Sequence, residues 1–392
     1  MKKLKVGIIF GGMSTEHDVS VISGTSILKN INKNLYDIFP IYIEKSGTWY
    51  SYEKKLEEIE VLKIGEKITD LVKIENITDY LKKLDVVFPV LHGLYGEDGS
   101  IQGLFKLLNI PYVGCNILSS CICMDKAYTK IILEKAGIPQ VKHIYIKKYK
   151  NKYVVVNQLC ESEPYDIENL SKIIEQKLGL PVFIKPSNSG SSIGINKANN
   201  LNEVIKYIQE ASNFDNKIII EESINAREIE CAVIGNEEVE TAILGEIMPA
   251  EEYYSFNAKY NNIESKTKIP AELTEPQSEI IKNMAIKAFK AVDGRGLSRI
   301  DFFIDKESEK IYLNEINTMP GFTTISMYPQ LFKKSGLSYS SLIDKLINLA
   351  LEKWTLLKVH FLHKFNVHNM KILLLKVYNF YNINACTKFF II

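Results

Sequence analysis

The stretch IKPSNSGSSIG, residues 184–194, puts a lysine at the end of an apolar segment and a run of small residues directly after it. Such a loop can hold phosphate: backbone N–H groups and hydroxyls donate to phosphate oxygens, and Lys185 supplies a point charge. It is not a Walker A loop, in which the glycines come first and the lysine leads into a helix. On these residues alone, a structural Gly/Ser turn is an equal reading. A second constellation shifts the balance. In SRIDFFID (298–305) Arg299 and Asp301 stand two residues apart, and in YLNEINTMPG (312–321) so do Glu315 and Asn317. Strand side chains repeat every two residues, so each pair shares a face. Two carboxylates and an amide oxygen on adjacent strands suit Mg²⁺ bridging nucleotide phosphates, and a basic residue beside them suits charge on a transferring phosphoryl group. The competing reading is alternating solvent-facing charge. The TMPGF turn that follows, whose glycine can approach a ligand, favours the metal reading. A third piece, IIIEESINAREIE (218–230), could bond an adenine through its backbone with Glu228 near the ribose; by itself it is an ordinary strand with acidic termini.

These residues need a frame to meet. LKVGIIF (4–10), a glycine turn and VISGTSILKNI (21–31) read as strand, turn and helix; DVVFPVL (85–91) reads as a strand running into HGLYGEDGSIQGLFKLLN. That alternation predicts an open α/β sheet over 1–118, with its functional loops at strand C-termini. A second block, 119–215, holds a helix in MDKAYTKIILEKAG stopped by Gly137 and Pro139, a strand KHIYIKK, a polar helix at 166–178, the strand PVFIKPS and a helix from about 201. A third, 216–353, holds the strands KIIIEESI, EIECAVIG and TAILGEIMP and a polar loop at 251–268. It continues with a helix at 275–292, paired strands LSRIDFFID and KIYLNEINT, and a last helix at 338–353. Residues 354–392 have no Asp or Glu, five lysines, three of the six histidines and no sustained period, and are expected to lie outside the catalytic fold. A net charge of +1 gives no footprint for nucleic acid. No run approaches the roughly 20 apolar residues of a membrane span. The six cysteines form no CxxC pair and no zinc-finger spacing, which reads as free thiols in a reducing cytoplasm.

In this order, the lysine–glycine loop, EES…E, RID and NEIN resemble the ATP-grasp superfamily. Within it, GGMSTEHDVSVISG (11–24), HGLYGEDGSIQG (92–103), MDK (124–126), KPSNSGSSIG (185–194), AKY (258–260) and NEINTMPGFT (314–323) are similar to the D-alanine–D-alanine ligases, in register from residue 4 to about 350. The resemblance implies an α/β fold of three domains with nucleotide between the last two. It also implies a reaction in which ATP phosphorylates one D-alanine and the amine of a second attacks the acylphosphate, supplying peptidoglycan precursors. Neither step needs a Ser/His/Asp or Cys/His nucleophile set, and none stands out in the sequence.

The resemblance assigns Lys126, Lys185 and Ser192 to the ATP phosphates and Glu221, Glu222, Ile224 and Glu228 to the adenosine site. Asp301, Glu315 and Asn317 would hold two Mg²⁺ or Mn²⁺ ions, with Arg299 near the transferred phosphate and the Gly321 N–H at the oxyanion. Glu16 would bind the ammonium of the first D-alanine and His92 would lie near its carboxylate. From the residues alone, Glu16 reads as a first-turn helix acid and His92 as a capping residue. The loop 251–268 would be a lid, with Lys259 reaching phosphate and Tyr260 bonding Ser191 and, through it, Glu16. Retention of Tyr260 speaks against D-lactate as second substrate. An apolar Met327 beside Ser326 suits D-alanine, with D-serine the alternative. A homodimer is expected. A different ATP-grasp ligase would have no reason to carry the two N-terminal motifs, and a non-catalytic relative should have lost a metal ligand.

Overall fold

The structure, a computed structural model, describes residues 3–150, 152–156, 162–190, 193–248 and 266–365, without the side chains of 162 and 353–365. Three sheets organise the described residues. The first has the order β4-β3-β2-β1-β5, built from β1 (Leu4–Gly11), β2 (Tyr36–Ile43), β3 (Trp49–Tyr52), β4 (Leu71–Lys73) and β5 (Val86–Pro89). β2, β1 and β5 are parallel and β3 and β4 antiparallel. Parallel neighbours need crossovers, and helix α1 (His17–Asn30) is the first of them. At the end of β1, Gly11 adopts φ +92, where an added Cβ would lie 2.2 Å from the Ile43 carbonyl oxygen, so the turn into α1 is open only to glycine.

The second sheet has the order β10-β9-β11-β6-β7-β8 and is antiparallel. Its strands are β6 (His143–Tyr149), β7 (Lys152–Val156), β8 (Ser162–Tyr165), β9 (Val182–Pro186), β10 (Asn196–Ala198) and β11 (Lys217–Glu222). α6 (Ile167–Leu178) and α7 (Leu201–Ala211) cover one face, burying Ile144, Ile184, Ile218 and Ile220 completely or nearly so. The other face carries Lys185 and Glu221 and meets α5 (Lys126–Lys135). The third sheet runs β15-β14-β12-β16-β17, with β13 (Val239–Thr241) attached to β12. It comprises β12 (Ala226–Gly235), β14 (Gly245–Met248), β15 (Lys266–Lys268), β16 (Gly296–Asp305) and β17 (Ile311–Asn317). Ile229, Cys231, Ile300, Phe302 and Leu313 pack under α8 (Glu275–Ala291). On the opposite face, Ala232, Ile234 and Leu297 join α9 (Met327–Lys334), α10 (Tyr339–Phe365) and Val6, Ile8 and Phe10 of the first sheet in one core. The first and third sheets are therefore anchored together, and the second meets them along the cleft.

Four expectations are corrected. The boundary at 215/216 falls before β11, yet β11 lies in the middle of the second sheet between β9 and β6, so the division comes after Glu222. The helix read from Met124 is two: α4 (Ile117–Met124) stops, and Asp125 in extended backbone caps α5 by accepting from the Ala127 and Tyr128 N–H groups. TAILGEIMP is not one strand, since β13 ends at Thr241 and β14 starts at Gly245. The last helix continues past 353 to Phe365, because nothing from 354 to 365 (no Pro, no Gly) breaks it. Among the described residues, no helix is long and apolar enough to cross a membrane.

Candidate active site

Antiparallel pairing of β16 and β17 sets Arg299 opposite Asn317 and Asp301 opposite Glu315. Pairing with β12 sets Glu230 opposite Asp301. Directly paired residues share a face, so all five project together. The Arg299 guanidinium donates to both Asp301 oxygens at 2.8 and 2.7 Å and lies 3.2 Å from a Glu230 oxygen. Burial disfavours the Arg299 charge, but Asp301 and Glu230 outweigh it and hold the guanidinium well above its usual value. Asn317 donates from Nδ2 to Asp301 at 3.0 Å and to Glu315 at 3.3 Å. A bulge beside Asp301 leaves Asn314 between the partners of Asp301 and Phe302, which keeps Leu313 in the core while Glu315 faces the cleft. One cation thus serves three carboxylates. Among the described residues no three His, Cys, Asp or Glu side chains are gathered as a metal site by themselves. The fitting donor set is Asp301, Glu315 and the amide of Asn317: two carboxylates already clustered, with an excess of negative charge, and an amide that would turn its oxygen toward a bound cation in place of its Nδ2 bonds.

The second sheet supplies the opposite balance. Glu221, opposite His143 on β6, is reached by two lysines: Lys130 from α5 at 2.6 Å on Oε1, and Lys185 from β9 on Oε2. Burial alone would raise the Glu221 carboxyl, but the two lysines hold it well below the usual carboxylate range. Lys126, the first residue of α5, donates from Nζ to the Ser189 carbonyl at 2.6 Å and from its backbone N–H to the Ser187 carbonyl at 3.1 Å, which ties α5 to the glycine loop. The same junction is fixed by Asp125, which accepts from Ser187 Oγ at 2.6 Å and pairs with Lys217.

The first sheet brings Glu16, His92 and Glu97. Glu16 precedes α1, is 8% exposed, and makes no capping bond with its side chain. Its carboxylate lies where a Cβ on Gly93 or Gly190 would fall, 2.4 and 2.5 Å away respectively, so the tip of the glycine loop reaches across to the first sheet. His92 Nδ1 sits 3.0 Å from the Met319 carbonyl oxygen and Nε2 3.0 Å from Ser23 Oγ, which accepts from the Phe322 N–H at 3.1 Å. A carbonyl can only accept, so Nδ1 carries the proton and Ser23 donates to Nε2. Burial, aided by Arg299, keeps His92 neutral-leaning against the pull of Glu16 and the carbonyl. Glu97 accepts from the Gly93 N–H at 2.8 Å and the Met319 N–H at 2.9 Å. Burial and the neighbouring Glu16 charge push its carboxyl up to about 8, although both N–H bonds oppose this. The Met319–Phe322 turn after β17 is in this way pinned to the first sheet by His92, Glu97 and Ser23.

One cleft of about 860 Å³ joins these pieces. Of the expected residues it takes Glu16, His92, Lys126, Lys185, Glu221, Arg299, Glu315, Asn317, Gly321, Ser326 and Met327 into its lining. Asp301 stands behind Arg299, 1% exposed. Glu222, Ile224 and Glu228 are not in the lining; Glu222 instead accepts from the Lys142 N–H at 2.7 Å. Ser191, Ser192, Lys259 and Tyr260 lie outside the described residues. Sequence reasoning missed Lys130, Glu97 and Glu230. For Glu230 the signal was its two-residue spacing from Glu228. For Lys130 it was a lysine on the buried stripe of α5, between Ala127 and Leu133. Glu97 carried no local signal, because its partners are backbone groups from two distant turns. A chain segment overlooked altogether, residues 61–64 between β3 and β4, lines the cleft, and the Leu62 N–H donates to Thr25 Oγ1 of α1 at 3.1 Å.

The family models for the D-ala D-ala ligase N-terminus and C-terminus match residues 5–115 and 132–348. A D-alanine–D-alanine ligase of Clostridium acetobutylicum is 51% identical over 353 residues, covering 89% of this chain and 98% of that protein. One of Acetivibrio thermocellus is 48% identical over 377 residues, covering 90% and 97%. Among solved structures, the VanG D-Ala:D-Ser ligase from Enterococcus faecalis is similar with a TM-score of 0.76 at 38% identity, covering 89% of this chain and 100% of that one. The D-alanine–D-alanine ligase from Coxiella burnetii gives 0.75 at 31%, covering 92% and 97%. The fold is the three-domain ATP-grasp architecture of these ligases. The chain belongs to the D-alanine–D-alanine ligase family.

Proposed function

We propose that the cleft joins two D-alanines to D-alanyl-D-alanine at the expense of ATP, for peptidoglycan precursors. The observation that carries this is the meeting, in one cavity, of a lysine-rich phosphate end, a carboxylate-rich end and Glu16. Lys126 and Lys185 orient the ATP phosphates, with Ser192 beside them, and Glu221, Glu222, Ile224 and Glu228 are assigned to adenosine. The first D-alanine places its ammonium on Glu16 and its carboxylate toward Arg299. Its carboxylate oxygen takes the γ-phosphoryl group, ADP leaves, and the amine of the second D-alanine, having lost a proton, attacks the carbonyl. The resulting oxyanion meets the Gly321 N–H before phosphate departs and the amide remains. His92, with both ring nitrogens engaged, holds the Met319–Phe322 turn in place for that step. Asp301, Glu315 and Asn317 would hold the divalent cations, Mg²⁺ or Mn²⁺, which neutralise phosphate charge when bound. Lys259 and Tyr260, with Ser191, are assigned to closing the cleft against water. We assign residues up to 118 to the first D-alanine domain, the second sheet to the nucleotide clamp and the third to the metal face, acting in a cytoplasmic homodimer.

The test is phosphate release from ATP with Mg²⁺ and D-alanine, followed by identification of the dipeptide. Absence of D-alanine-dependent phosphate release from folded protein sinks the reading. The similarity to a D-Ala:D-Ser ligase makes D-serine the second reading. Met327 favours D-alanine, since its side chain is apolar, 5% exposed and packed by its methyl against Gly245, and itself offers a hydroxyl no hydrogen bond. A mixed dipeptide as main product would reverse that choice alone.

A further inference from the structure

Lys130 is a buried lysine for which phosphate binding gives no account. Its side chain is 4% exposed against 14% for Lys185, and both line the same cleft. Each oxygen of the Glu221 carboxylate is taken by one of them. A single lysine would neutralise Glu221, and burying a second costs desolvation that a leucine or methionine on the same stripe of α5 would avoid. The arrangement acquires a purpose when Lys185 is drawn toward nucleotide phosphates, as the proposed function requires. With Lys185 as its sole partner, Glu221, 4% exposed, would then stand in the interior with no cation of its own; Lys130 on the other oxygen prevents this.

We propose that Lys130 is a positioning residue, a standing counter-ion that keeps Glu221 charged and in place while Lys185 turns to the nucleotide. The charged and titratable groups that face Glu221 are Lys130 from α5, Lys185 from β9 and His143 opposite it on β6. The His143 imidazole is held below its usual value by burial and by Lys130, which disfavours it as the replacement cation. Without Lys130, release of Lys185 leaves a buried carboxylate that takes up a proton instead.

The experiment is calorimetric titration of the full-length protein with ADP and Mg²⁺ at pH 7 in two buffers of different ionisation enthalpy, for the wild type, K130M, K130R, E221Q and K130M/E221Q. The wild type is expected to bind with little proton uptake. K130M should bind at least about tenfold more weakly and take up close to one proton, as a buried anion without its partner would. K130R should restore both properties, and the KM for D-alanine should stay within about twofold because the lost charge lies at the nucleotide end. Because Lys130 acts only through Glu221, K130M/E221Q should bind like E221Q, a comparison that stands even if K130M does not fold. A double variant much weaker than E221Q, or K130M binding without proton uptake, overturns the proposal. A wild type that binds no nucleotide overturns the proposed function itself, and the two failures are thereby distinguished.

Discussion

The two ends of the cleft are built on inverse charge ratios. On the second sheet two lysines share one carboxylate, Glu221; on the third, one arginine is shared among Asp301 and Glu230 with Glu315 close by. Each cluster is folded with its charges mutually satisfied, and each retains a surplus of one sign. The cation surplus suits phosphate and the anion surplus suits a metal ion, so the polarity of the cleft follows from which residue type is in the minority. Burial gives each surplus force, because charges in a partly desolvated site interact more strongly than in water.

This contrast can be broken by neutralising one member at each end. The largest effect is expected for Asp301→Asn, which removes a metal ligand and the bidentate partner of Arg299: kcat should fall on the order of 10²–10³, with the fold retained in circular dichroism. Lys185→Met should act differently, raising the KM for ATP by roughly tenfold or more while changing the KM for D-alanine little. If both substitutions changed the same kinetic constant, the two ends would not be separable. Glu230→Gln should cost turnover about tenfold at most, because Asp301 still holds Arg299 by two bonds. A separate effect is on stability rather than on turnover. The Glu97 carboxyl, raised from 4.5 to about 8, keeps in the folded chain a proton that the unfolded chain releases. Its contribution is complete below 4.5, declines as pH rises through about 8, and is flat beyond. Glu97→Gln should remove that slope from denaturant-derived stability measured across the window. A slope unchanged in the variant would show that Glu97 does not hold the proton.

The metal face was legible because strand periodicity is strict: two residues apart means the same face, and the pairing of β16 with β17 only had to bring two such pairs into register. Lys185 was legible for the same reason, standing opposite in phase to buried Val182, Ile184 and Pro186. What escaped depended on long-range placement. The assignment of β11 to the middle of the second sheet is decided by pairing partners 34 and 74 residues away, Lys185 and Tyr145, which flank Ile219 on either side. Glu97 becomes a site residue only when the turn at Met319 reaches it. The lining segment 61–64 has no regular element to announce it, and it is tied to α1 by a single bond.

Glu16 is touched from two directions by glycines that belong to different sheets, Gly93 after β5 and Gly190 after β9. The two positions are 97 residues apart in the chain yet constrain a single carboxylate, which makes them partners in epistasis. Gly190, whose φ is not in the left-handed region, is the cleaner site. An alanine there would push Glu16 aside, and an alanine at Gly93 would add backbone strain to the same collision. Shortening Glu16 to aspartate withdraws the carboxylate from both, so a lineage that had first acquired Glu16→Asp would take a methyl group at position 190 without the displacement of Glu16 that the present chain requires. The order in which such changes arrive, more than the size of any one of them, would decide which sequences of this family can be reached from this one.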